Sequence, residues 1–489
     1  MNSEIVWTSF FLLTVALSGG ESAPGLSSDF LRAEIQTYAP IVQKIFKYVV
    51  DGGYKNVTYD SLADFTDRFG SRLAGTRNLE DSIDFILEKS KELGLENVRG
   101  EDVQVPHWER GHEAAYLLSP RKTEIKILGL GHSIGTPPEG LTADVVVVDS
   151  FEELERLNST NTDAIKGKIL VFNEAYVWYG VTVEYRGRAA VEAGKYGAVA
   201  TLVRSVAPFS INSPHTGSMN YAENVTKVPV ACISIEAAEM LRRMVDRGSQ
   251  VTIKLIMNAK EYDPETSRNV IAEIAGFSKP LEQVIISGHI DSWDVGQGAM
   301  DDGGGAFISW HSLIVLKNLG LRPRRTIRGI LWTAEEWGYV GAKEYLNRHR
   351  SDLEKINFVM ESDGGTFTPL GLEVAASDAA ATVIQEILNL MGYINATQIK
   401  RYKSVGSDIE LFINEGIPAA SLLNDNEKYF WFHHSEGDMM TVQNPKTWTS
   451  APRFGQQSPT SLLTSRIRCP EDNRLDFEHV SAEMHSTLK

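Results

Sequence analysis

The chain has 489 residues, and its 48 Lys+Arg against 64 Asp+Glu give a formal charge of −16. Hydrophobic residues make up 42% and charged residues 23%, which excludes wholesale disorder, while the acidic balance argues against a sequence-independent grip on nucleic acid. Two cysteines, Cys232 and Cys469, exclude a disulfide-stapled scaffold or a thiolate-rich zinc cage, so any metal must rest on His, Asp and Glu.

Val6 to Leu17 is an apolar run followed by Ser18, Gly19 and Gly20. It falls short of the about 20 residues that span a bilayer and reads as a secretory signal peptide over 1–20. Four N-x-[ST] sequons, at Asn56, Asn158, Asn224 and Asn395, accord with that route as glycosylation candidates. No later segment reads as a membrane span, so a secreted or lumenal protein is expected.

Apolar spacing predicts a helix over Leu31 to Val50 and a second over Asp81 to Leu93. Short apolar strands follow at Glu124 to Leu130, Asp144 to Val148, Lys168 to Phe172, AVATLVR and Val228 to Ile233. Helices are expected within DSFEELERLNSTNTDAIKGK, over Ala189 to Tyr196 and over Ile235 to Arg247. Cys232, inside an apolar run, reads as a buried free thiol. Residues 122–257 thus form a β-rich insertion that divides a longer pattern into 41–121 and 258–448. That pattern resumes with NVIAEIAG, VIISGHID, TIRGILWTAEE, NFVMESD and PAASLLN, separated by helical stretches such as Ala306 to Leu319. Such alternation predicts an α/β fold, a mostly parallel twisted sheet with helices on both faces, and ligands at the carboxyl ends of its strands.

Those strand ends carry the chemistry. VIISG is followed by His289 and Asp291, GQGAM by Asp301 and Asp302, and ILWTA by Glu335 and Glu336. NFVMES leads to Asp363, and YFWF leads to His433 and His434 with Asp438 shortly after. Each has an innocent alternative: a strand histidine in a structural hydrogen bond, an aspartate as helix cap, glutamates favouring a helix dipole. All would have to hold at once, and carboxylates converging on one buried edge would repel and protonate unless a cation neutralised them. Imidazole with carboxylate and no thiolate suits a catalytic zinc pair. The donors fit with Asp301 as bridge, His289 and Asp363 on one Zn²⁺, and Glu336 and His434 on the other. Glu335 is then free to take a proton, and Asp291 can fix the His289 tautomer.

The motifs H-x-D, G-A-x-D-D-G, A-E-E-x-G, S-D-G and H-S-x-x-D resemble the di-zinc exopeptidases of the bacterial leucyl-aminopeptidase type. The resemblance implies ligands His289, Asp301, Glu336, Asp363 and His434, with His434 taken over His433, and Glu335 as the catalytic general base. It implies two zinc ions per chain, small peptide substrates (dipeptides with free termini in particular) and a homodimer. It further implies a protease-associated character for the insertion, a propeptide over 21–40, and residence in the endoplasmic reticulum, Golgi apparatus, lysosome or outside the cell. The likeness runs from about Leu31 to Trp448. Residues 449–489 depart from it: Pro452, Pro459 and Pro470 interrupt any helical period where the family closes with an apolar helix. That replacement is expected to lower stability and perturb dimerisation. It also keeps a weak or inactive isoform, or a binding ectodomain, as the alternative function. Basic residues such as Arg401 or Lys403 are candidates to receive a substrate carboxylate.

Overall fold

The computed structural model describes residues 28–444 apart from Glu427; the expected signal peptide, the start of the propeptide (21–27), the tail 449–489 and Cys469 lie outside them. Two helices, α1 (Ser28–Gln36) and α2 (Ala39–Phe46), stand where one was expected over 31–50. Pro40 has no N–H to donate and is tolerated only in a helix's first turn, so the chain breaks before it. Next come α3 (Val57–Phe69) and α4 (Arg77–Glu92). The latter is capped by Thr76 and buries Leu79, Ile83 and Ile86 on one face.

β1 (Glu96–Glu109) then leads into the insertion: β2 (Glu113–Ser119), β3 (Thr123–Ile125), β4 (Ile127–Gly129), β5 (Leu141–Val148), α5 (Phe151–Thr160) and β6 (Ile169–Phe172). It continues through α6 (Tyr179–Lys195), β7 (Ala200–Arg204), β8 (Val230–Ile233), α7 (Ile235–Asp246) and β9 (Thr252–Met257). The second sheet runs β3-β2-β9-β5-β6-β7-β8-β4. It therefore begins at Glu113 rather than at residue 122, because β2 pairs along its length with β9 and buries Ala115 and Leu117 in the insertion's own core. The strand expected over 124–130 splits at Lys126. Its halves sit at opposite ends of the strand order, so the sheet curls until its two edges approach.

The chain returns along β10 (Lys260–Ile274), antiparallel to β1 from Glu109↔Lys260 to Glu96↔Glu273. The catalytic part then runs β11 (Lys279–His289), α8 (Gly304–Asn318), β12 (Arg325–Trp332), α9 (Val340–Arg348), β13 (Ile356–Glu361) and β14 (Pro369–Ala375). It ends with α10 (Asp378–Asn389), β15 (Gln398–Arg401), α11 (Glu410–Asn414) and β16 (Ala419–Asn424). The first sheet runs β1-β10-β12-β11-β13-β16-β14-β15. Its centre, β12-β11-β13-β16, is parallel as expected, but β10 and β14 run against their neighbours there. The four residues between β10 and β11 are too few for the crossover, about a dozen residues or more, that a parallel neighbour requires.

Alternate residues of the central strands face opposite layers. Ile286 and Leu331 pack with Phe65, Ile83, Phe307 and Leu313 of α3, α4 and α8. Ile285 and Ile330 pack with Ala342, Tyr345 and Phe412 of α9 and α11. Among the described residues no helix is long and apolar enough to cross a membrane.

Candidate metal centre

The four parallel strands end on one edge, and each delivers chemistry there. β11 ends on His289; Glu335 and Glu336 follow β12; Asp363 follows β13; His433 and His434 follow β16. Asp301 arrives from the loop before α8, joined to Asp302 by a cis peptide. Glu335 and Glu336 sit in a tight turn, not at a helix start. Ala334 and Tyr339 frame it at φ 57° and 62°, and the Gly338 and Tyr339 N–H groups both donate to the Glu335 carbonyl. The first turn of α8 lies so close to the end of β13 that a Cβ on Gly305 would sit 1.8 Å from the Ser362 carbonyl oxygen; only glycine fits.

Asp301 stands between two groups of donors. Its Oδ1 is 3.3 Å from His289 Nε2, which is also 3.4 Å from Asp363 Oδ1. Its Oδ2 is 3.3 Å from His434 Nε2, itself 2.9 Å from Glu336 Oε2. His433 Nε2 lies 3.5 Å from the same Asp301 oxygen, with its ring stacked on His434 at 3.5 Å. Glu335 stands back, its Oε2 3.9 Å from His289 Nε2. Asp301 Oδ2, Glu336 Oε1 and Asp363 Oδ1 are buried without a hydrogen-bond partner. Buried carboxylate oxygens left bare are costly, and cations shared with imidazole nitrogens would satisfy them, so this donor set fits zinc. All three metal-capable clusters among the described residues draw on it.

An outer ring holds these groups. His289 Nδ1 lies 3.0 Å from the Asp291 carbonyl oxygen and 3.5 Å from its carboxylate. The Asp291 carboxylate mainly accepts the N–H groups of Glu335 (3.0 Å) and Glu336 (3.4 Å). Asp302 accepts from the His289 and Gly305 N–H groups, and Asp438 from those of Met300 (2.7 Å) and Asp301 (3.1 Å). Trp293 Nε1 donates to Glu336 Oε2 at 2.6 Å, and Ser407 Oγ to Asp363 Oδ2 at 2.5 Å. Arg72, fully buried, shapes the loop that carries Asp301 by donating to the carbonyls of Ile290, Gln297 and Gly298.

The insertion closes the site. The Thr216 N–H donates to the His434 carbonyl at 2.8 Å, and His434 Nδ1 is 3.2 Å from the Thr216 carbonyl oxygen. Arg186 donates to that same carbonyl at 3.0 Å, while its other terminal nitrogen donates to the Tyr179 hydroxyl at 2.7 Å. His434 adopts φ 58°, a left-handed conformation costing a non-glycine residue about 1–3 kcal/mol.

Electrostatics set a condition on loading. Burial pushes Glu335 well above the usual carboxylate range, with Asp363 and Glu336 adding to it. Burial raises Glu336 as well. His434 is pulled down by burial but carried up to about 9 by Glu336 and Asp301. His289 is held well above its usual value by hydrogen bonds to Asp291, Asp301 and Asp363, against the effect of burial. A ligand imidazole must be neutral, so protons compete with zinc at neutral pH. Apparent zinc affinity is therefore expected to rise about tenfold per pH unit for each proton released as pH climbs toward the raised values. Competition with a chelator across that range measures it, and a flat profile contradicts it.

All six predicted catalytic and metal residues thus meet at one edge, with Asp291 behind them. The sequence reading missed Trp293, Ser407, Arg72 and the whole contribution of the insertion. Arg401 is not at the site: it pairs with Asp378 at 2.5 Å. Among the sequons, Asn224 and Asn395 are exposed, whereas Asn56 and Asn158 are half-buried. Cys232 is fully buried, which pushes its thiol up to about 12 and leaves it inert.

A cavity of about 360 Å³ opens over the centre, lined by Glu335, Asp363, Tyr339 and Tyr429 on one side and Tyr179 and Arg186 of the insertion on the other. A profile of peptidase family M28 matches residues 269–454, from β10 through the whole site. Carboxypeptidase Q of Mus musculus is 49% identical, over 89% of this chain and 94% of that protein. A peptidase M28 precursor from Shewanella amazonensis SB2B superposes with a TM-score of 0.78 at 32% identity, over 86% of this chain and 94% of that one. BSAP, a zinc aminopeptidase from Bacillus subtilis, shares the fold with a TM-score of 0.61 at 20% identity, over 80% and 91%.

Proposed function

The chain belongs to peptidase family M28 and is a zinc-dependent metallo-exopeptidase, and from that premise we propose that it hydrolyses small peptides, dipeptides with free termini above all, with Glu335 as general base. The carrying observation is Asp301, whose two oxygens face separate histidine–carboxylate pairs. That arrangement supports two zinc ions per chain, held by His289 and Asp363 on one side and by Glu336 and His434 on the other. When bound, zinc supplies the Lewis acidity that polarises a scissile carbonyl and acidifies water.

The chain's own residues do the rest. Glu335, its backbone pinned by Asp291, accepts a proton as water oxygen bonds to the carbonyl carbon. The same carboxyl delivers that proton to the amide nitrogen as the C–N bond breaks, so a carboxylate and an amine leave. Arg186, the only Arg or Lys among the residues lining the cavity, is the natural partner for the free carboxylate of a dipeptide. Because Arg186 also braces the Thr216 carbonyl beside His434, Arg186→Ala is expected to cost both substrates. It is expected to raise KM for a free dipeptide about 10–100-fold more than for a C-terminally amidated one, the worth of a charged hydrogen bond. Equal losses on both substrates would remove Arg186 from carboxylate recognition.

The sequons and apolar leader support a secreted or lumenal location, and the motif resemblance implies a homodimer, for which sedimentation is the test. All six catalytic and ligand positions are filled, which disfavours a binding-only ectodomain. The deciding experiment counts zinc per chain and assays a dipeptide panel beside peptides with N-terminal Gln. A zinc-loaded chain that left every dipeptide intact, or cyclised the Gln peptides instead, would overturn the reading.

A further inference from the structure

We infer that the insertion is a working part of the metal centre: His215 and Thr216, between β7 and β8, are positioning residues that hold His434 with its Nε2 toward Asp301 and Glu336. The inference rests on the zinc reading above. His434 is held at two points by one residue, since its carbonyl accepts from the Thr216 N–H at 2.8 Å and its Nδ1 lies 3.2 Å from the Thr216 carbonyl. Arg186 stands 3.2 Å from the same Nδ1, but it has the Thr216 carbonyl to donate to; in the tautomer with Nδ1–H toward that carbonyl, the Nε2 lone pair is free for a metal.

The preceding residue is tied as well. His215 Nδ1 donates to the His433 carbonyl at 2.6 Å, so the insertion grips the main chain on both sides of the left-handed turn at His434. His215 is itself fixed, its N–H donating to Ser205 Oγ at 2.9 Å just past β7. Thr216 Oγ donates to the Gly129 carbonyl at 2.7 Å and accepts from Arg110, which also pairs with Asp294 of the catalytic part at 2.6 Å. A ligand at φ 58° next to a second, competing imidazole needs such outside restraint to present one ring and not the other.

The test compares wild type, His215→Leu and His215→Asn for zinc per chain, rate of zinc loss to a chelator, and melting of the zinc-free protein. His215→Leu removes the donor and is expected to lose one zinc about 10–100-fold faster while holding the other as wild type does. His215→Asn keeps an N–H at similar reach and is expected to restore slow loss. Undiminished retention of both ions in His215→Leu overturns the inference, as does equal loss of both with a lowered zinc-free melting temperature, which marks a general loosening. A wild-type chain that takes up no zinc overturns the metallopeptidase reading, and this inference with it.

Discussion

Glu335→Gln is expected to lower kcat on a dipeptide by about 10²–10⁴-fold while zinc content stays that of the wild type. The amide matches the carboxylate in size but cannot accept a proton, so the water must attack without a base and the amine must leave without an acid. Zinc should stay because Glu335 is set apart from the ligand cluster. It stands 3.9 Å from His289 Nε2, whereas Glu336 comes within 2.9 Å of His434 Nε2. The turn itself should persist, since the Glu335 N–H and carbonyl make its hydrogen bonds and the side chain does not. Steady-state kinetics with metal analysis of the same sample decides it. Full activity in Glu335→Gln would remove the base assignment, and loss of zinc would turn Glu335 into a ligand.

Asp301→Ala is expected to have the larger effect: loss of zinc from both positions and of all measurable turnover. Removing a shared ligand costs more than the about 10–100-fold in affinity that follows loss of an outer partner, because both ions lose a charged oxygen together. The loop should stay in place, since Asp438 holds it through the Met300 and Asp301 main-chain N–H groups, and circular dichroism should match the wild type. Asp363→Ala is the comparison, expected to release only the ion shared with His289. Equal zinc loss in both variants would contradict a bridge at Asp301.

Much of this was legible locally. Val284 to Ile286 and Phe358 to Met360 read as buried strand segments because a parallel strand covered on both faces loses the polar alternation of a half-exposed one. The break at Pro40 is equally local, because a residue without an N–H fits only the first turn of a helix. The direction of β10 and β14 was not, because apolar runs look alike in either orientation. Nor was the start of the insertion at Glu113, since β2 alternates like an edge strand of either sheet and only its pairing with β9 decides which one.

By itself the sequence determined the fold class and the donor set, because strand period, turn residues and the acid or histidine after each strand act over a few neighbouring positions. Only the tertiary structure decided how those donors are shared and held. That Asp301 faces both histidines with different oxygens follows from how its loop packs against four strand ends. That Arg186, His215 and Thr216 reach His433 and His434 depends on contacts more than two hundred residues apart. No local pattern encodes such contacts, because they exist only once two separately built sheets have closed on each other.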